Sequence, residues 1–260
     1  MKCIKLKKLA VLNFVFYLSM IAVNFLAVLL PLNGKSTGEL SDQYPNLFTP
    51  AGITFSIWSL IYLLLGVWVV YGLIQAWKKK KVKFISKIGY LFVWSSIFNM
   101  AWIFVWHYEI VWASLVVMVG ILVTLLKIYK KNLKIRKKLD TPERFLVNLP
   151  FSIYLGWISV ATIANVTILL SFYNWSGFGV SPEVWTIVVM IVAIVLGLFY
   201  ICKRKDIFYA LVIMWALFGI WLERSTDAEP IRSIMYAALI GIALLFLRLL
   251  IQIFQKKIYK

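Results

Sequence analysis

Charged residues cut this chain into apolar stretches of membrane-crossing length, and the spacing of those stretches predicts its architecture. Lys2, Lys5, Lys7 and Lys8 precede an uncharged run over 9–34. At 26 residues that run exceeds a signal-peptide core and carries no small-residue cleavage pattern, so it is expected to stay as a first transmembrane helix. Residues 34–49 read as a polar loop with Lys35, Glu39 and Asp42, and their Gly, Ser, Thr and Pro content predicts mobility. Pro50 suits the first turn of a second helix that runs to about Trp77, where its missing N–H costs nothing. A third segment is expected over about 85–106. A tight turn at His107, Tyr108 and Glu109 then leads to a fourth over about 110–126, followed by a basic loop to Arg144. The fifth covers about 145–173, and Asn174, Gly177, Gly179, Ser181 and Pro182 punctuate the connection to the sixth at about 183–201. The last two, about 207–222 and 231–254, are the shortest between charges, with Arg248 able to snorkel to the surface. The fold class that follows is all-α: a polytopic membrane helix bundle of about eight transmembrane helices.

Composition agrees with the pattern. Hydrophobic residues make up 63% of the 260, with a mean hydropathy of +0.89, so a bilayer is the solvent that can hold the chain. The net charge of +18 sits in short runs between apolar segments rather than as a patch on a soluble domain, which argues against nucleic acid as a partner. Under the eight-segment reading, only Lys35, Arg224 and Arg232 of the 28 Lys and Arg fall on the side opposite the N-terminus. The positive-inside rule then places both termini in the cytoplasm and the 34–49 loop outside, and the expected location is the cell (plasma) membrane, among its lipids. Cys3 and Cys202 are too few for a disulfide framework or a thiol metal site.

The candidate chemistry is aromatic and amide rather than ionic. No carboxylate or histidine falls centrally in a segment, so ion-coupled transport lacks its usual groups. Glu109, Glu183, Asp206, Glu223 and Glu229 sit at segment ends and read as hydrated interfacial carboxylates, and His107 as an interfacial histidine without a partner for axial haem ligation. Half of the tryptophans fit the interfacial belt, leaving Trp58, Trp68, Trp94, Trp102, Trp157 and Trp215 deeper. Trp58, Tyr62 and Gly66 share a helix face at i, i+4, i+8, and Trp58 lies roughly 12 Å beyond Pro50 at the helical rise. Asn99 with Trp102 forms an i, i+3 pair, and Trp157, Ala161 and Asn165 repeat the i, i+4, i+8 stripe. Unpaired amides are costly in hydrocarbon, so Asn99 and Asn165 must face the bundle interior, either as interhelical ties or as ligand contacts. The direction of each segment puts these residues in the outer half of the bilayer beneath the 34–49 loop. A flat lipophilic ligand would fit there, with Gly66 and Ala161 leaving space and the loop as a lid. The Ala193/Gly197 and Ala237/Gly241 pairs are small-xxx-small packing faces.

These residues resemble the tryptophan-rich sensory proteins, also called translocator proteins or peripheral-type benzodiazepine receptors, over about residues 47–170. Pro50 followed by Trp58, Tyr62 and Gly66 is similar to that family's W-x-x-x-Y-x-x-x-G motif. Asn99, Trp102 and Trp106, then Trp112 and Ala113, resemble its third-helix motif and the turn after it. Tyr154, Trp157, Ala161, Thr162 and Asn165 resemble its fifth-helix motif. The resemblance implies a five-helix core over 1–175, with 176–260 as a three-helix membrane extension. It also implies that porphyrins, sterols or synthetic aromatic molecules are bound under the first loop, often by a homodimer. The chain departs from the family by its extra helices, by Thr49–Pro50 in place of paired prolines, and by Ile153 where a proline usually precedes the fifth motif. No cofactor is required, and a porphyrin or haem-like tetrapyrrole enters only as a ligand.

The expected function is therefore that of a receptor or sensor-like membrane protein for a planar hydrophobic molecule. Its expected site is Trp58, Tyr62, Gly66, Asn99, Trp102, Trp157, Ala161 and Asn165. One alternative is a facilitative transporter of lipophilic metabolites, prompted by the extra helices. Another is light-dependent porphyrin degradation through Trp58, Trp102 and Trp157, although no nucleophile, metal site or acid–base pair is visible in the spacing.

Overall fold

A computed structural model of the chain describes residues 2–30, 32–35, 37–44, 46–78, 83–255 and 258–259. The lysine run 79–81 of the first basic turn, together with Ser36 and Pro45 of the 34–49 segment, lies outside the described residues. Among the described residues all regular structure is helical: α1 (Lys2–Leu29), α2 (Thr37–Asp42), α3 (Ile57–Trp77), α4 (Lys83–Ile88), α5 (Leu91–His107), α6 (Val111–Ile135), α7 (Thr141–Phe172), α8 (Pro182–Arg204), α9 (Ile207–Thr226) and α10 (Arg232–Phe254). Seven of these are long and apolar enough to cross a membrane, α3 together with the short 3-10 turn that leads into it. The shorter apolar α5 has 17 residues, or roughly 25 Å at 1.5 Å per residue. Exposed apolar side chains line the outside, as on α3, where Leu60, Leu63, Val67, Val70 and Ile74 form a stripe that only a hydrocarbon solvent would tolerate. The all-α polytopic membrane bundle is the architecture of this protein.

Local chemistry explains where the helices differ from the expected segments. The third segment is broken, because Gly89 takes φ +63 between α4 and α5 and stops the helix there. The fourth does not end at residue 126. α6 continues through the basic stretch because Ile128, Asn132 and Ile135 recur at i, i+4, i+7 on a buried face, while Lys127, Lys130 and Lys134 lie exposed. Pro50 precedes the 3-10 turn Gly52–Ser56 instead of opening a helix, and α3 starts after that turn. Pro150 sits inside α7, and the Asn132 amide donates to the Val147 carbonyl at 3.1 Å beside the gap that the proline leaves in the hydrogen-bond ladder.

The chain folds as two compact units. The first comprises Met1–Thr37 and Trp58–Leu155, in which α5 packs between α1 and α6. The second comprises Gly38–Ile57 and Gly156–Lys260, in which α8, α9 and α10 pack on one another. The small-residue faces of α8 and α10 do the close packing there. A Cβ on Gly197 would stand 2.8 Å from a Leu245 methyl, and one on Gly241 would stand 2.5 Å from Ile194. The backbone N–H of Ala51 donates to the Gly219 carbonyl at 3.0 Å, an approach that a side chain at 219 would block through Thr54 and Pro50. Long-range division therefore does not follow chain order: 38–57 and the second half of α7 belong with the last three helices.

Asp206 corrects one expectation directly. Rather than a hydrated interfacial carboxylate it is fully buried as the N-cap of α9, accepting from the backbone N–H groups of Phe208 at 3.2 Å and Tyr209 at 3.3 Å. A carboxylate there satisfies two orphan donors and complements the helix dipole. Asp206→Ala should therefore lower stability by about 1–2 kcal/mol, while Asp206→Asn, which keeps the cap acceptor, should lose less than half of that. Thermal unfolding in detergent micelles reads the difference.

Candidate ligand site

In the first unit, three of the expected residues, Trp58, Tyr62 and Asn99, come together around a residue that the motifs do not contain. Asn24 stands in an otherwise apolar stretch of α1. Its Oδ1 accepts from the Tyr62 hydroxyl at 2.7 Å, and its Nδ2 donates to Asn99 Oδ1 at 2.8 Å and to the Met20 carbonyl at 2.9 Å. Asn99 Nδ2 in turn donates to the Tyr154 hydroxyl at 3.0 Å. The result is one hydrogen-bonded chain through α1, α3, α5 and α7. Trp58 covers it, stacked on Tyr62 at 5.4 Å between centroids and edge-on to Tyr154 at 5.8 Å. Side-chain amides and phenols on four helices thus satisfy one another inside hydrocarbon, which is the tie rather than the contact reading of Asn99.

Gly66 leaves its space to the protein itself. The Tyr17 phenol of α1 lies against it, donating to the Tyr62 carbonyl at 3.0 Å, and a Cβ at 66 would fall 2.5 Å from the Tyr17 oxygen. Trp102 is buried and stacked on Trp106 at 5.5 Å with 12° between planes, and its indole N–H has no hydrogen-bond partner among the described residues. Trp68 is core, enclosed by Phe84, Phe92 and Phe151 at 5.0–5.7 Å, whereas half of Trp94 faces outward.

The start of the 34–49 segment is pinned rather than free. Asn33 donates to the His107 carbonyl at 3.0 Å, Lys35 pairs with Glu109 at 2.8 Å, and Trp106 Nε1 donates to the Thr37 carbonyl at 3.3 Å. His107 itself is fully buried, with Nδ1 2.7 Å from the Ile103 carbonyl and Nε2 3.5 Å from the Thr37 hydroxyl, so at the end of α5 it packs inside the protein.

In the second unit the expected stripe on α7 is present. Trp157 is buried edge-on to Phe55 at 5.8 Å, and Asn165 Nδ2 donates back to the Ala161 carbonyl at 3.2 Å. Trp215 serves structure, donating to the Thr54 carbonyl at 2.9 Å. The open space of this unit lies further along. A cavity of about 790 Å³ occurs where the C-terminal ends of α7 and α9 and the N-terminal end of α8 meet residues 41–49. None of the eight expected residues lines it. Phe48, Val166, Leu170 and Val189 supply apolar walls, and Trp175 and Trp185 stand 5.2 Å apart at one side.

Its roof is built by Asn46. The Asn46 Oδ1 accepts from the backbone N–H groups of Phe48 and Thr49, and from the Thr167 hydroxyl of α7 at 3.3 Å, while Nδ2 donates to Thr49 Oγ1 at 2.7 Å. This Asx turn fixes the 46–49 backbone. Trp185 is oriented by donating to the Gly177 carbonyl at 2.9 Å. The charged part of the wall is Glu223 and Arg224 near the end of α9. Arg224 is 8% exposed, with Nη1 3.2 Å from Asp227 and Nη2 3.6 Å from Glu223.

Sequence reasoning missed Asn24, Asn46 and Arg224. An amide inside an apolar run was a visible signal for Asn24, the same one that marked Asn99. Asn46 stood two residues before Phe48 in a turn-forming context. Arg224 registered only as a topology charge, because its burial depends on how α9 packs. Seven long apolar helices, with a ligand-sized cleft where helix ends meet residues 41–49, mark the class as a helical membrane protein. The chain belongs to the TSPO-like protein family, whose model matches residues 10–251. The matched stretch runs from within the first membrane-crossing helix to near the end of the last, well beyond the 47–170 on which the motif resemblance rests. Comparison with curated proteins and with solved structures gives no match in either.

If the Asn24–Asn99 chain ties helices, Asn24→Ala and Asn99→Ala should each destabilise by about 1–2 kcal/mol, since each leaves a buried partner unsatisfied. The double variant should lose less than the sum, with a coupling of about 0.6–1.7 kcal/mol in a thermal-denaturation cycle.

Proposed function

We propose that this TSPO-like protein is a membrane receptor for a planar or elongated lipophilic molecule, such as a tetrapyrrole. In this reading the molecule is taken up in the cavity beneath residues 41–49. The observation that carries the reading is the cavity itself, whose volume falls in the range of about 300–1,000 Å³ typical of small-molecule sites. Its rings and branched side chains supply dispersion and stacking, and Ser171 supplies an orienting hydroxyl, while Thr167 and Thr186, which donate to Asn46 and to the Pro182 carbonyl, keep oxygen lone pairs to accept from the ligand. The mutual satisfaction of Tyr62, Asn24 and Asn99 supports the same choice, because a ligand seated among them would have to replace hydrogen bonds already made. Family membership makes ligand binding or transport a natural role.

Titration of purified protein with protoporphyrin, read by the shift of its absorbance band, separates the two seats. With the ligand in the cavity, Thr186→Phe should weaken binding about ten-fold or more, a loss of about 1.4 kcal/mol or greater. An Asn99→Ala, Trp157→Ala double variant should stay within a factor of about two of the parent. The opposite pattern would return the ligand to the eight residues read from the sequence.

The proposed orientation has both termini in the cytoplasm of a cell with the protein in its plasma membrane, since Lys35, Arg224 and Arg232 are the basic residues left on the other side. Glu39 is exposed on α2. A Glu39→Cys variant lacking both native cysteines should react in intact cells with a membrane-impermeant maleimide; protection until the cells are lysed would invert the topology.

A further inference from the structure

We propose that the cavity of the second unit selects a lipophile ending in a carboxylate, and that Arg224 is the residue that recognises it. This rests on the cavity reading of the ligand site and adds the chemical class of the ligand. A guanidinium taken out of water needs its donors matched, because desolvation otherwise costs several kcal/mol. Arg224 is 8% exposed and its match is uneven. Asp227, one turn on, holds Nη1 at 3.2 Å. Glu223 stands 3.6 Å from Nη2, beyond good hydrogen-bond length, with 38% of its side chain exposed. Nε is buried and has no hydrogen-bond partner among the described residues.

The position of these gaps on the guanidinium decides what can fill them. Nε–H and one N–H of Nη2 point in parallel along the same edge, the side-on fork that binds both oxygens of a carboxylate. Asp227 occupies the other end of the group, so the fork is free of its strongest partner. Glu223 is adjacent in sequence to Arg224, and neighbours on a helix do not face each other, so it cannot present both oxygens to that edge. A ligand carboxylate displaces the loosely held, half-exposed Glu223 side chain toward water and takes the fork, leaving the Asp227 pair intact. The apolar remainder then lies against Leu170, Val166, Val189 and Phe48, all of which line the same cavity.

The test uses full-length protein in lipid nanodiscs with cis-parinaric acid, a fluorescent polyene fatty acid, and its methyl ester. The parent should bind the acid about 10–100-fold more tightly than the ester, the range of a charge-assisted hydrogen-bonded pair. Arg224→Gln should remove that preference by weakening the acid alone, and Glu223→Gln should tighten the acid by removing the competing negative charge beside the fork. Arg224→Lys keeps the charge and the Asp227 pair but lacks the fork, so it should fold like the parent and still lose most of the preference. Equal affinity for acid and ester in the parent, or equal weakening of both by Arg224→Lys, would overturn carboxylate recognition while leaving the cavity reading standing. Binding of both probes that is unchanged by Thr186→Phe would overturn the cavity reading and this inference with it.

Discussion

A polar side chain in hydrocarbon must find its partner within the protein, and the first unit is arranged around that requirement. Asn24, Tyr62, Asn99 and Tyr154 come from four helices, and each is hydrogen-bonded to another of the four. Each bond of this kind contributes only about 0.6 kcal/mol on average between membrane helices, yet leaving one member unsatisfied costs about 1–3 kcal/mol. The network therefore acts less as a source of stability than as a condition on register: α1, α3, α5 and α7 can slide or rotate only by breaking it. Trp58 stacked on Tyr62 and Tyr17 seated against Gly66 fill the space beside it.

The second unit solves the same problem differently. Its helices meet closely through small residues, Gly197 and Gly241 between α8 and α10, and Gly156 against α9, so dispersion between near backbones adds to side-chain bonds such as Ser233 to Glu183 and Arg248 to Cys202. Where α7 and α9 end and α8 begins, the packing opens into the cavity roofed by the Asn46 turn. Arg224 belongs to that open end. Its charge is matched by Asp227 and shared with Glu223.

Much of the architecture was legible because a bilayer imposes simple rules. Charges bound the apolar runs, so α7 through α10 agree with their expected bounds to within about four residues. Two mismatches have local causes. Gly89 reads as an unremarkable glycine until its φ of +63 breaks the third segment. The lysines of 127–134 read as a loop until the buried Ile128, Asn132, Ile135 face carries the helix past them. Mobility read from the composition of 34–49 missed the ties of Asn33, Lys35 and Thr37 to the end of α5, all of which join residues about seventy positions apart.

The motif residues show the same limit at the site. That Trp58, Tyr62 and Gly66 share a face, and that Asn99 must point inward, follows from helical period and the cost of a bare amide, and both are properties of a single segment. Which partner each residue meets is not. Asn24 was as visible an amide as Asn99, but only the packing of α1 on α5 turns the two into donor and acceptor, and only Tyr17 decides that the gap at Gly66 is filled. The sequence by itself determined the class, the helices and their inward faces, since those depend on hydrophobic run length and period. The tertiary structure alone decided where space remains and which charge borders it, because a cavity is what is left after every side chain has been placed.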